Sequence, residues 1–249
     1  LPNLGVGGMQ LFRLESSDTS EKILPRAASI ATEITVLYIA LSVICGISYW
    51  LAGLSSFDSF VHAMSTIATG GFSSRSDSLG GFNNINLETI AIIFMIISSL
   101  PFVLYLKAIR GKPSDLIKDQ QVRGFFKTLF IASIVVILYL IIFKDFVSFD
   151  AIRYSLFNVT SILTGTGFVT AEYDMWGTPI ILVFLFITFI GGCAGSTTCG
   201  IKIFRLQIIY YNSKETIGKL ISPNRVINKK YNGEHISQEI TQSVITFLF

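Results

Sequence analysis

The chain has 249 residues, 51% hydrophobic and only 14% charged, with a formal net charge of +3. Soluble domains carry roughly 25% charged residues, and one soluble core of this size cannot hide so much apolar surface, whereas a bilayer can. No stretch interleaves basic and aromatic residues on polar ground, which argues against nucleic-acid binding. Cys45, Cys193 and Cys199 sit in apolar or Gly-rich surroundings, without the paired spacing of a zinc site or the even count of a disulfide framework. Neither His62 nor His235 lies near a nucleophile motif, so enzyme chemistry has no anchor.

A membrane-spanning helix needs about 20 mostly apolar residues. Residues 27–53, 87–109 and 125–143 meet that requirement, and residues 179–210 do so with a Gly-rich break at 191–200. A further span is expected from about Ile236. Glu33 lies inside the first span, where a lipid-facing carboxylate costs about 2.5–3.5 kcal/mol, so it is expected to face protein or interface and to be paired. Two more apolar segments, 57–69 and 150–164, are too short to cross and begin beside Asp58 and Asp150. An acidic first turn suits a helix N-terminus, and between full spans such segments read as re-entrant half-helices. His62 within the first reads as packing or surface, and Arg153 in the second as interfacial. The chain opens at Leu1 without Met and stops at Phe249 inside an apolar run, so a piece of a longer protein is expected.

The pattern of span, half-helix, Gly turn and span occurs twice. A shift of 96 residues lays Ser65, Gly71 and Phe72 on Ser161, Gly167 and Phe168, and a shift of 95 lays Lys107 and Arg110 on Lys202 and Arg205. Lys and Arg crowd the connections after each unit, while residues 54–86 hold only Arg75 and residues 144–178 only Lys144 and Arg153. The basic connections are therefore expected to be cytoplasmic, with the Gly turns facing outward.

Non-helical backbone at membrane depth survives only buried in protein or lining a water-filled cavity. Thr69, Gly70, Gly71, Phe72 and Ser73 free a row of carbonyls, as do Gly165, Thr166, Gly167, Phe168 and Val169. Carbonyl rings can replace a cation's hydration shell, glycine permits the positive φ that aims them, and a half-helix's negative end favours a cation. Phe72 and Phe168 are expected to pack outward and brace the turns. One such turn alone would read as a surface loop; the matched pair favours an ion filter. The break, Gly191, Gly192, Cys193, Ala194, Gly195, Ser196, Thr197, Thr198, Cys199 and Gly200 with Lys202 beyond, should unwind or bend. It reads as a flexible intramembrane loop able to obstruct a pore, or alternatively as close small-residue helix packing. Its likeness to a phosphate-binding loop fails, because Ile201 separates Gly200 from Lys202.

These residues resemble the membrane subunit of the Trk/Ktr/HKT potassium transporter superfamily, in its Trk branch. Gly5-Val6-Gly7-Gly8-Met9-Gln10-Leu11 is similar to the family's sequence closing the first of four repeats. Residues 65–74 and 164–170 look like its second and third filter loops, and residues 191–202 like its intramembrane gating loop. The resemblance implies an all-α polytopic membrane protein of repeated helix–pore half-helix–helix units, potassium-channel-like and pseudo-fourfold in the complete protein. Residues 1–22 would end the first repeat and its connection, 23–112 form the second, 113–210 the third, 211–235 a cytoplasmic connection, and 236–249 the truncated start of the fourth. It further implies K⁺ as the transported ion at the filter residues, no organic cofactor, and a bacterial inner-membrane homodimer gated by a cytoplasmic nucleotide-binding subunit. Thr198 and Cys199 stand where the family usually has glycine, and their side chains could stiffen the loop. A Na⁺-permeable or poorly selective transporter is the alternative within the class. A membrane assembly subunit or membrane-embedded enzyme is the alternative outside it.

Overall fold

The computed structural model describes residues 27–222, 230–232, 234–236 and 238–248; the motif at residues 5–11 lies outside them. The first unit opens with α1 (Ala27–Leu51), followed by α2 (Ser56–Ile67), α3 (Ile85–Ser98) and α4 (Phe102–Ile109). A short α5 (Ser114–Lys118) leads into the second unit, formed by α6 (Gln120–Lys144), α7 (Ser148–Leu163), α8 (Thr178–Phe189) and α9 (Ile203–Ile221). A two-residue antiparallel hairpin, β1 (Lys230–Tyr231) with β2 (Glu234–His235), precedes α10 (Gln238–Leu248).

Local chemistry sets the helix starts. Ser55 caps α2 by accepting the Asp58 N–H, Asn84 caps α3 through the Asn86 N–H, and Asp119 caps α6 through those of Gln121 and Val122, each satisfying donors that a helix start leaves open. The helix α1, at 1.5 Å per residue, is about 37 Å long, enough for a hydrocarbon core of about 30 Å. Its Val36, Ile39, Val43, Ile47 and Trp50 are exposed at three- and four-residue spacing, the stripe a lipid-facing helix presents. Both α1 and α6 are long and apolar enough to cross a membrane.

The expected single span at 87–109 is instead two helices, α3 and α4, meeting at a 90° bend. Pro101 opens α4, and its missing N–H and ring clash stop a helix from running through. The Ser98 and Ser99 hydroxyls turn back onto Met95 O at 3.0 and 2.6 Å. The second spans of both units are therefore broken, the first sharply and the second over a long loop.

Each unit has its own apolar core. One joins α1, α2 and α3 through Tyr49, Ile67 and Met95; the other joins α6, α7 and α8 through Val136, Leu163 and Phe184. Phe157 and Phe168 of the second unit are members of the first unit's core, which packs the units together. A bidentate pair reinforces the seam: Arg153 Nε and Nη2 donate to Glu88 at 2.7 and 2.6 Å, with both side chains largely buried. Arg153 is thus an inter-unit tie rather than an interfacial residue. Glu33, as expected for a carboxylate in a span, is paired: Arg110 Nη2 donates to it at 2.5 Å.

Candidate functional site

The half-helices α2 and α7 end in turns whose hydrogen bonds coincide at the 96-residue shift. Ala68 N–H donates to Met64 O at 3.0 Å, as Thr164 N–H does to Thr160 O at 2.9 Å. Gly70 N–H donates to Ser65 O at 2.7 Å, as Thr166 N–H does to Ser161 O at 2.9 Å. Backbone angles repeat as well: φ is 50° at Thr69 and 69° at Gly165, then 69° at Gly71 and 87° at Gly167. Left-handed backbone suits glycine. Thr69 adopts it with its hydroxyl within donor range of Ala68 O at 2.7 Å and Thr197 O at 3.0 Å.

The two turns touch. A Cβ on Gly71 would lie 2.0 Å from Thr166 O, so only glycine fits where the loops meet. Beyond that point Gly80 N–H donates to Val169 O at 3.0 Å and Val169 N–H to Ser78 Oγ at 3.1 Å. The Ser161 hydroxyl donates to Phe168 O at 2.7 Å. Phe168 and Val169 therefore spend their carbonyls on protein donors, which narrows the expected row in the second turn. Among the described residues no donor reaches the carbonyls of Thr69, Gly70 and Gly71, or of Gly165, Thr166 and Gly167. Gly70, Gly165 and Gly167 are exposed. Oxygens left this way bond water or a cation wherever such a turn lies within a membrane.

Braces for the turns come from residues that local motifs did not single out. His62, fully buried, places Nδ1 2.7 Å from Asp58 O and Nε2 2.9 Å from Ser73 Oγ. Its equivalent at the same shift, buried Asn158, donates to Thr170 Oγ1 at 3.1 Å. The shift that aligns the glycines also aligns these two, and that was the available signal. Ser74 and Ser55 donate to Asp58 at 2.5 and 2.7 Å and hold its carboxyl below the ordinary range. Phe168 packs as a brace, buried with its ring 6.0 Å from His62. Phe72 does not: its ring is 78% exposed, because no described element covers that flank of the first turn.

The loop between α8 and α9 lies against both turns. Its neck is closed by Gly191 N–H to Ile201 O at 2.9 Å and Ile201 N–H to Phe189 O at 3.0 Å, and a Cβ on Gly191 would sit 2.1 Å from Cys199 O. Cys193 N–H donates to Ser99 O at 3.0 Å, Thr197 N–H to Ser98 O at 3.2 Å, and Phe102 N–H to Gly195 O at 3.0 Å. The two broken spans thus satisfy each other's open backbone. Thr69 Oγ1 reaches Thr197 O, and a Cβ on Gly165 would lie 3.2 Å from Cys199 Cβ. Thr198 stiffens the loop: its hydroxyl accepts the Gly192 N–H at 3.1 Å and meets Ser196 Oγ at 2.8 Å, and Lys202 Nζ donates to its carbonyl. Cys199 is exposed, and among the described residues its side chain makes no such tie. Far from a slack segment, the loop is fastened at neck and flank.

Broken spans and half-helix turns facing one another define an all-α polytopic membrane protein built from helix–half-helix–helix units. The family model for the cation transport protein TrkH matches residues 1–249, and the chain belongs to that family. It is 38% identical over 253 residues to the Trk system potassium uptake protein TrkI of Halomonas elongata, covering 100% of this chain and 51% of that protein. It is 34% identical over 255 residues to the Trk system potassium uptake protein TrkH of Vibrio parahaemolyticus, covering 99% of this chain and 52% of that protein. The crystal structure of the potassium transporter TrkH from Vibrio parahaemolyticus superposes with a TM-score of 0.86 at 31% identity, covering 97% of this chain and 53% of that one. The chain spans about half the length of the relatives it matches.

Proposed function

We propose that this chain supplies two quadrants of a K⁺ filter and the gate beneath them in a bacterial inner-membrane uptake protein. The observation that carries the reading is the facing pair of turns, each with three consecutive carbonyls that no described donor reaches. Thr69, Gly70 and Gly71 would present oxygens to the ion from one quadrant, and Gly165, Thr166 and Gly167 from the next. The relatives are named potassium uptake proteins, which supports K⁺ as the cargo. They are also named as parts of a Trk system, which supports membership of an assembly. A homodimer with a cytoplasmic nucleotide-binding subunit belongs to the same proposal.

Residues 191–200 would act as the gate, lying against the filter base through Thr69 and Gly165 with Lys202 tethering Thr198. The test uses the full-length protein in vesicles. Gly71→Ala should abolish the preference for K⁺ over Na⁺, and deletion of residues 195–200 should raise K⁺ flux. Unchanged selectivity in the first variant sinks the filter, and lower or unaltered flux in the second sinks the gate.

A further inference from the structure

The loop at 191–200 is joined to the hairpin of β1 and β2 by two independent routes. The polar route begins at Ala194, whose N–H donates to Gln121 Oε1 at 2.7 Å, a contact with no exposure to solvent. Gln121 is held at the start of α6 by Asp119, whose Oδ1 accepts the Gln121 N–H at 2.8 Å. The other oxygen of Asp119 accepts from Asn232 Nδ2 at 2.7 Å, and Asn232 Oδ1 accepts the Gln120 N–H at 2.9 Å. One hairpin side chain thus grips both the capping residue and the first residue of α6. The apolar route is direct: Ala194, 1% exposed, packs in one cluster with Phe204, Tyr231, Ile236 and Val244. Tyr231 and Phe204 stack edge to face at 5.1 Å, and the Tyr231 hydroxyl donates to Gln207 Oε1 at 2.8 Å.

We infer that the 230–235 hairpin is a latch that positions the intramembrane loop, with Asn232, Asp119 and Gln121 as its positioning residues. The inference rests on the reading of residues 191–200 as a gate. For the loop to leave the path under the filter, Ala194 must give up the Gln121 oxygen and its apolar seat. Withdrawal of the hairpin weakens both at once, since it removes Tyr231 from the seat and Asn232 from the helix start that aims Gln121. Coupling between distant sites requires such a physically connected element with two arrangements. This one runs from a connection rich in Lys and Arg to the foot of the filter.

The test is Asn232→Gly in the full-length protein. Asn232 has φ 48°, a conformation glycine adopts without strain, so the turn is kept and only the grip is lost. Two readouts are taken in a Cys199→Ser background: K⁺ flux into vesicles, and the rate at which a small methanethiosulfonate modifies Cys193. Cys193 is fully buried in the loop, and Cys45, equally buried in α1, is the internal control for intact folding. Flux and Cys193 modification should both rise by roughly four- to a hundredfold, since Asn232 gives up two hydrogen bonds, each worth about two- to tenfold in an equilibrium, with Cys45 still protected and selectivity unchanged. Gln121→Ala added to Asn232→Gly should give no further increase. An unchanged Cys193 rate overturns the latch, even if deletion of residues 195–200 still raises flux. Faster Cys193 modification with unaltered flux overturns the gate reading beneath it, and a simultaneous rise at Cys45 overturns the latch in favour of general loosening.

Discussion

The turn after α7 is fastened along its length, while the turn after α2 is fastened only at its base and outer end. Ser161, Asn158, Ser78 and Gly80 all bond the second turn. In the first, Ser65 Oγ, the counterpart of Ser161, is buried without a partner among the described residues, and Phe72 stands exposed where Phe168 is packed. Their half-helices end with the same hydrogen bonds and the same sequence of dihedrals. The difference comes from the neighbours: the second turn has the first unit on its flank, and no described residue covers the corresponding flank of the first. The fastening of such a pair of turns belongs to the seams between units more than to each loop's own sequence.

The sharpest way to break that comparison is at the seam. Gly71→Ala places a methyl group against Thr166 O in addition to the left-handed strain of about 1–2 kcal/mol, whereas Gly167→Ala meets nothing within 4 Å and carries the strain alone. K⁺ over Na⁺ flux ratios should therefore collapse in Gly71→Ala and fall by roughly tenfold in Gly167→Ala, since 1.4 kcal/mol is tenfold. Equal losses would mean that the loops do not meet as described.

A smaller effect separates the two serines. Ser161→Ala removes the donor to Phe168 O and should cost about 0.5–1.5 kcal/mol, read as a lower melting temperature and weaker selectivity. Ser65→Ala removes a buried hydroxyl that bonds nothing among the described residues and should be neutral or slightly stabilising. Reversal of that order would show that the first turn closes on Ser65 in the complete protein.

The smallest effect is electrostatic. Asp58 is held below its ordinary carboxylate range by the Ser74 and Ser55 hydroxyls, so its contribution is present above the unfolded value of 3.8 and is lost as pH falls through the lower folded value. Acidification below about pH 4 should loosen the outer end of the first turn, seen as faster hydrogen exchange at Ser73 and Ser74. Asp58→Asn should lose that pH dependence, and the second turn should show none of it.

Much of the site was legible because its determinants are local. Apolar run lengths located the spans and half-helices, and the 96-residue shift foretold the pairing of Gly71 with Gly167, where both backbones turn left-handed. The bend at Ser99-Leu100-Pro101 was missed because residues 87–109 satisfy a length and hydropathy criterion regardless of one proline. Pro101 was the signal, and it was outweighed by apolar count. Glu88 with Arg153, 65 residues apart, and Asn232 with Asp119, 113 apart, leave no local trace. Their partners are chosen by the packing of one unit on another, which no window of sequence contains.

The Glu88–Arg153 pair also bears on how the two units meet during synthesis. Glu88 leaves the ribosome before Arg153 does, so the first unit's carboxylate precedes the arginine of the second unit's half-helix. An arginine seeking a bilayer position alone faces a cost of about 2.5–3.5 kcal/mol; one that finds a waiting carboxylate is guided to its seat. Chain order thus offers the second unit's arginine a partner made earlier, in the first.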